Sequence, residues 1–430
     1  MIQEFKVKNY LSFRDEATFS FLATDDRSFG EDQVVTIGKT RLLRFAIVYG
    51  ANASGKSNLL TAFDFLRSFW SGARESDEES TGTVPFLLDL EQQTPSEPSS
   101  FELIFFVGET KYRYVLTLDP HRVHEETLYY YKTSRATRLF HRSLEDGSSV
   151  IKLSSEIKVS PAVLEELTAK CLPNMSFFAA RARVNASLPL IDDVREWMRE
   201  QFFPPIGPKT KLSDYFRRKV LKDADLKDYL LDIIQRADFN ITGINAEKKS
   251  LSEKEKQDFF RGVPFPFSDD FKKLILSEKT KAERTSLEFV HTVKGKQGEE
   301  APFSLPESAQ SAGTQRILGV ETAIYEVEKR NGFLAIDEIE SSLHPELVEL
   351  ILDQYLNSEG RSQLLVTTHY DPLLDNVDSY FRKDSVWFTE KGEDGNTSLY
   401  SLVEFRRLSQ IHSFQGAYRN GRFGALPNTY

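Results

Sequence analysis

The chain has 430 residues, 40% hydrophobic and 28% charged, which is material for two or three packed units and excludes a wholly disordered chain. Its one cysteine, Cys171, excludes an intrachain disulfide and a multi-cysteine zinc site, and it fits a reducing, cytoplasmic setting. With 55 basic against 65 acidic residues the formal charge is −10, so the chain is no general polyanion coat. No run of about 18 apolar residues marks a membrane-crossing helix, and no membrane partner is expected.

In chain order, Met1–Lys8 and Thr18–Leu22 alternate apolar and polar residues, as strands do. Leu42–Tyr49 reads as a buried strand. It runs into Gly50-Ala51-Asn52-Ala53-Ser54-Gly55-Lys56-Ser57 and then an amphipathic helix through Leu59, Leu60, Phe63 and Leu66. This loop fits G-x-x-x-x-G-K-[ST] between a strand and a helix, the context that gives the pattern its meaning. Two glycines let backbone amides approach phosphate oxygens, Lys56 sets a cation against the β and γ phosphates, and the Ser57 hydroxyl can ligate Mg²⁺. The following helix aims the positive end of its dipole at the same anion. Gly50, Asn52, Ala53, Ser54, Gly55, Lys56, Ser57 and Asn58 are the candidate nucleotide-binding residues.

Residues 75–82 are an acidic, solvated loop, and residues 101–118 form two strands about a short turn. His121, His124, Glu125 and Glu126 follow; they read as polar strand ends in preference to a metal cluster. Helical periodicity appears at Val194–Phe203 and Leu221–Ala237, and a strand face at Thr285, Leu287, Phe289, His291 and Val293. Residues 195–300 therefore read as a mostly helical insertion, with Pro204–Pro208 as a hinge or linker. Lys209, Lys211, Arg217, Arg218, Lys219 and Lys222, interleaved with Tyr215 and Phe216, could contact nucleic acid, although a solvated helix face has the same pattern.

Three further segments bear on chemistry. Gln310-Ser311-Ala312-Gly313-Thr314-Gln315-Arg316 precedes a helix, with Ser311 as its N-cap and Gly313 opening backbone amides to a phosphate. Gly332–Ile336 is a short apolar strand ending in Asp337-Glu338, which would carry the pair to the sheet edge where α/β ligands sit. There Asp337 can hold Mg²⁺ through water and Glu338 can polarise an attacking water. Gln363–Thr367 is another apolar strand, ending near His369, which follows Asp337 by 32 positions with a helix between. A βαβ unit of that kind sets the two strand ends side by side.

Together these motifs resemble the ABC-type ATPase heads of the SMC, double-strand-break-repair and OLD group. Asn9–Phe13, the phosphate loop through Asn58, Thr367-Thr368-His369 with Asp371 and Leu373–Asp375, and Gly421–Pro427 are most similar to the compact AAA-family ATPases of anti-phage abortive-infection operons, the RloA/AbiLi-like proteins. The resemblance covers about residues 1–70 and 303–427. It implies an α/β split P-loop NTPase, an ABC-ATPase head with an antiparallel β subdomain. The head halves would be residues 1–194 and 301–430, around the insertion.

The resemblance also implies ATP and Mg²⁺ as cofactors, with Ser57 and Asp337 at the metal. Lys56, Glu338 and His369 would be catalytic, and Ser311 and Gly313 would face the nucleotide of a second copy. Glu340–Pro345 would be the D-loop. The implied assembly is a homo-oligomer controlling a separate nuclease-like or Toprim-like effector. The alternative is a repair or chromosome-associated clamp acting directly on nucleic acid. The signature departs from Leu-Ser-Gly-Gly-Gln, reading Gln-Ser-Ala-Gly-Thr, and no Q-loop glutamine stands out.

Overall fold

The alternation at the N-terminus becomes β1 (Ile2–Lys8), whose Ile2, Phe5 and Val7 are buried. The structure, a computed structural model, describes residues 1–430 apart from 28, 30, 31, 92, 238, 239, 251–282 and 428–430. β1 pairs with β2 (Ala17–Ser20) on one side and β6 (Ser99–Val107) on the other. The sheet continues through β7 (Thr110–Leu118), β8 (Val123–Tyr131), β9 (Ala136–Glu145) and β10 (Ser148–Leu153). Its order is β10-β9-β8-β7-β6-β1-β2, antiparallel throughout. β3 (Val34–Ile37) and β4 (Thr40–Leu43) form a separate hairpin.

The second sheet carries the motifs. β5 (Phe45–Tyr49), β14 (Phe333–Ile336) and β15 (Gln363–Thr367) are buried at every position, as strands covered on both faces must be. With β16 (Val386–Lys391) and β17 (Thr397–Ser401) the order is β14-β15-β5-β16-β17. The first four strands are parallel and β17 returns antiparallel on β16.

The helix Lys56–Ser71 lies between the two sheets. Its Phe63 stacks on Phe5 of β1 at 4.1 Å and sits 5.0 Å from Phe333 of β14, while Phe19 of β2 meets Trp387 of β16 at 5.0 Å. Each such aromatic stabilises the fold by about 1.5–3 kcal/mol when removed from water. They fix the helix whose first turn carries Lys56 and Ser57.

Residues 1–208, 326–341 and 348–430 pack as one unit, and residues 209–325 and 342–347 as a second. The first unit thus extends past the expected boundary at 195. In the helix Ile191–Glu200, Ile191, Val194, Trp197 and Met198 are buried, and Trp197 stacks on Phe105 at 4.5 Å. Periodicity announced that helix but not the core its apolar face would meet. Nor is Pro204–Pro208 a free linker. Ile206 donates to the Ala335 carbonyl at 2.9 Å and accepts from the Asp337 amide at 2.8 Å, a short parallel ladder on the outer edge of β14. Prolines are tolerated there because an edge residue has no partner on its outer side.

In the second unit, the helices Ser213–Val220 and Ala224–Ala237 accompany a sheet of β11 (Ile241–Ser250), β12 (Glu283–Lys294) and β13 (Glu300–Pro306), in that order and antiparallel. The described part of the insertion is therefore helix and sheet in combination. Leu287 and Phe289 are buried on the strand face read from the sequence. Arg217 is paired with Glu307 and Asp214, Arg218 donates to the Asp214 carbonyl at 3.1 Å and Lys219 lies over the Tyr215 ring at 5.7 Å, so at least three of the six basic residues are engaged within the unit.

The polar residues after β7 are satisfied locally. His124 Nε2 lies 2.6 Å from Asp119, and Glu126 and Arg142 form a buried ion pair. Cys171 is buried, and burial pushes its thiol up to about 11. Among the described residues no helix is long and apolar enough to cross a membrane.

Candidate nucleotide-binding site

β5 is an apolar strand that ends abruptly at Gly50. The loop that follows turns tightly enough to start the helix at Lys56, with Gly55 in left-handed backbone geometry at φ 111°. Neither glycine could carry a side chain. A Cβ on Gly50 would lie 2.5 Å from the Thr389 carbonyl oxygen, and one on Gly55 would lie 2.4 Å from Thr397 Oγ1. The loop is cradled from behind by β16 and β17. Ser54 Oγ sits 2.6 Å from Thr389 Oγ1, and Thr397 Oγ1 lies 2.9 Å from the Ser54 carbonyl oxygen and 2.8 Å from Ser12 Oγ. The Asn58 amide donates to Ser12 Oγ at 2.7 Å, so Asn58 is turned toward the support of the loop. Asn52, Ala53 and Ser57 are exposed on the open side.

Lys56 is buried to 5% exposure. Its ammonium donates to the carbonyls of Gly50 at 2.7 Å and Ala51 at 3.0 Å, and it lies 3.4 Å from His369 Nδ1. Burial lowers Lys56 to about 8, opposed by the carboxylates of Asp337, Glu338 and Glu340. The same environment lowers His369 through burial and then through the Lys56 charge, with the three carboxylates opposing. The balance of charge at this edge is thus one ammonium and one imidazole against three acids.

The acids arrive with β14. The parallel registers Ile336↔Val366 and Thr367↔Val48 place the ends of β14, β15 and β5 at one sheet edge. Thr367 Oγ1 donates to Asp337 Oδ1 at 2.6 Å and accepts from the Glu338 amide at 2.9 Å. Glu338 takes a left-handed backbone, φ 47°, and its carboxylate lies 3.8 Å from His369 Nε2. Glu340 accepts from the His369 amide at 2.6 Å.

Lys56, Asp337, Glu338 and His369 are thereby gathered at one place, although Lys56 and Asp337 are 281 positions apart (337 − 56). Ser311 and Gly313 lie in the second unit. Ser311 Oγ accepts from the Thr314 amide at 3.0 Å, capping the helix Ala312–Arg330 as its sequence suggested. A Cβ on Gly313 would lie 3.0 Å from the Ser342 carbonyl oxygen.

Sequence reasoning missed the hydroxyls. Thr389 and Thr397 have no motif of their own, while Ser12 and Thr367 had a signal only as parts of the Asn9–Phe13 and Thr367-Thr368-His369 segments. It also missed Glu340 as the residue that fixes His369.

The fit to a nucleotide is steric as well as electrostatic. The loop amides are cradled where a Cβ would clash, a buried ammonium stands beside them, and acids occupy the adjoining strand end. A family model described as "AAA domain, putative AbiEii toxin, Type IV TA system" matches residues 45–158 and 191–376. The chain belongs to this AAA-domain family. The matched residues include Lys56, Ser311, Asp337, Glu338 and His369.

No curated protein matches the sequence. Among solved structures the chain is similar to the SMC head domain from Thermotoga maritima, at 14% identity and a TM-score of 0.43, covering 93% of this chain and 98% of that one. It is also similar to an SmcHead bound to the C-winged helix domain of ScpA, at 14% identity and a TM-score of 0.42, covering 93% and 97%. At that identity and score neither likeness bears on function.

Proposed function

We propose that this chain binds and hydrolyses ATP, and that ATP-dependent association of its copies controls a partner effector in anti-phage defence. The observation that carries the reading is the meeting of Lys56, Asp337, Glu338 and His369 at the end of three parallel strands.

The geometry supports the following roles. Lys56, with the amides of the Gly50–Lys56 loop, supplies positive charge where a triphosphate would lie. Ser57 and Asp337 are the residues that would hold Mg²⁺, which when bound adds positive charge to the phosphate oxygens. Thr367 fixes the Asp337 carboxylate for that purpose. Glu338 orients the attacking water and receives its proton, and His369, close to both Lys56 and Glu338, senses the terminal phosphate. Catalysis of this kind is mostly positioning and charge stabilisation, so small displacements of these groups cost rate.

Ser311 and Gly313 would offer the helix N-terminus of one copy to the nucleotide of another, so that the terminal phosphate joins two surfaces and its loss separates them. The family description names an AbiEii toxin and a type IV TA system, and the sequence resembles ATPases of abortive-infection operons; both support a defence role. The effector is expected to be a separate nuclease-like or Toprim-like protein.

Glu338→Gln keeps the size of the side chain and removes the base. In light scattering it should become a dimer or larger with Mg²⁺-ATP and revert on ADP. Ser311→Arg in the same background should stay monomeric, and a size independent of nucleotide would contradict the association model.

A further inference from the structure

The turn after His369 is tied to the far end of the chain. Asp371 donates its amide to the His369 carbonyl at 3.0 Å and opens the short helical turn Asp371–Asn376. Its carboxylate is gripped at two points by one edge of the Arg419 guanidinium, Nε at 2.6 Å and Nη2 at 2.9 Å, and by Gln415 Nε2 at 3.2 Å. Asp375, at the other end of the turn, accepts from Ser413 Oγ at 2.9 Å and the Gln415 amide at 3.0 Å. The helix Phe414–Arg419 that supplies these groups is itself seated. Tyr418 stacks on Phe388 with centroids 5.7 Å apart, lies 6.2 Å from Tyr49, and donates its hydroxyl to the Ala425 carbonyl at 2.9 Å. Tyr49 is the last residue before the phosphate loop. One C-terminal element therefore touches both the strand that delivers Lys56 and the turn that follows His369.

We propose that the helix Phe414–Arg419 is a brace for His369, with Arg419 and Gln415 as positioning residues acting through Asp371. The inference rests on the ATPase reading and deepens it. The Arg419 side chain is 60% exposed, so its ion pair adds little to folding. Its two-point geometry, by contrast, fixes the direction of the Asp371 carboxylate, which a single-point contact would not. The Arg419 guanidinium also holds the Asp371 carboxyl below its ordinary range, so the pair stays charged at neutral pH. With the Glu340 carboxylate on the His369 amide, the backbone of His369 is held from both sides.

The test compares Arg419→Ala with wild type, each with and without His369→Ala. Amide exchange over residues 366–376 should be about tenfold faster in Arg419→Ala, exchange over 45–60 unchanged, and the melting temperature within about 2 °C. ATP turnover should fall about five- to tenfold at unchanged ATP affinity, with no further fall in the His369→Ala background. Arg419→Lys keeps the charge but loses the two-point contact and should fall between. Unchanged exchange over 366–376, or an equal loss of turnover with and without His369, overturns the brace. A wild-type protein without ATP turnover overturns the ATPase reading instead, and the exchange rates then decide the brace alone.

Discussion

The Thr367 hydroxyl donates to the Asp337 carboxylate at 2.6 Å, and the same oxygen accepts the Glu338 amide at 2.9 Å. One buried side chain thus sets the direction of the candidate metal ligand and the backbone of the candidate base. Thr367→Val is nearly isosteric but removes both bonds. It should cost about 1–3 kcal/mol in chemical denaturation, because the Glu338 amide loses its partner, and it should weaken Mg²⁺ dependence of ATP turnover about tenfold.

Gly55 combines left-handed geometry with a Cβ position 2.4 Å from Thr397 Oγ1. Gly55→Ala should abolish binding of a fluorescent ATP analogue. Thr397→Ser, which removes only the methyl beside that position, should bind it within about threefold of wild type.

The pH dependence follows from Lys56, lowered to about 8 by burial. The folded site sheds its proton at lower pH than the unfolded chain, so between about 8 and 10.5 the unfolded state binds more protons. This group's contribution to the stability of the nucleotide-free protein therefore rises across that window, while nucleotide affinity falls as the ammonium is lost. Nucleotide binding above pH ~8 should take up a proton, since phosphates favour the charged amine. Calorimetry in buffers of different ionisation enthalpy would register that uptake, and Lys56→Met should abolish it.

The Glu126–Arg142 pair stands apart from this chemistry and is fully buried. Glu126 also accepts from Tyr114, Ser176 and the Phe177 amide. Arg142→Ala leaves that carboxylate without its cation and should lower stability by about 3–5 kcal/mol. Denaturant unfolding would show it as a lower midpoint with unchanged slope.

The sequence carried the site further than the packing. Gly50–Ser57, Asp337-Glu338 and His369 were legible because glycine geometry, charge and strand ends leave a local mark. Their convergence was readable from the apolar strands before each. Thr389 and Thr397 left no such mark, since a threonine that holds a loop has the same local sequence as any strand threonine. What the helix Ile191–Glu200 packs against was not legible, because its periodicity reports an apolar face and not its partner. Pro204–Pro208 looked like a linker because the ladder it makes with β14 depends on residues more than a hundred positions away.

The central claim is that Glu338 performs chemistry on a nucleotide held by Lys56. It is tested most directly by single-turnover hydrolysis of Mg²⁺-ATP in wild type and Glu338→Gln. The account predicts equal ATP affinity and a hydrolysis rate at least about a hundredfold lower in the variant. Equal rates in the two proteins would contradict it.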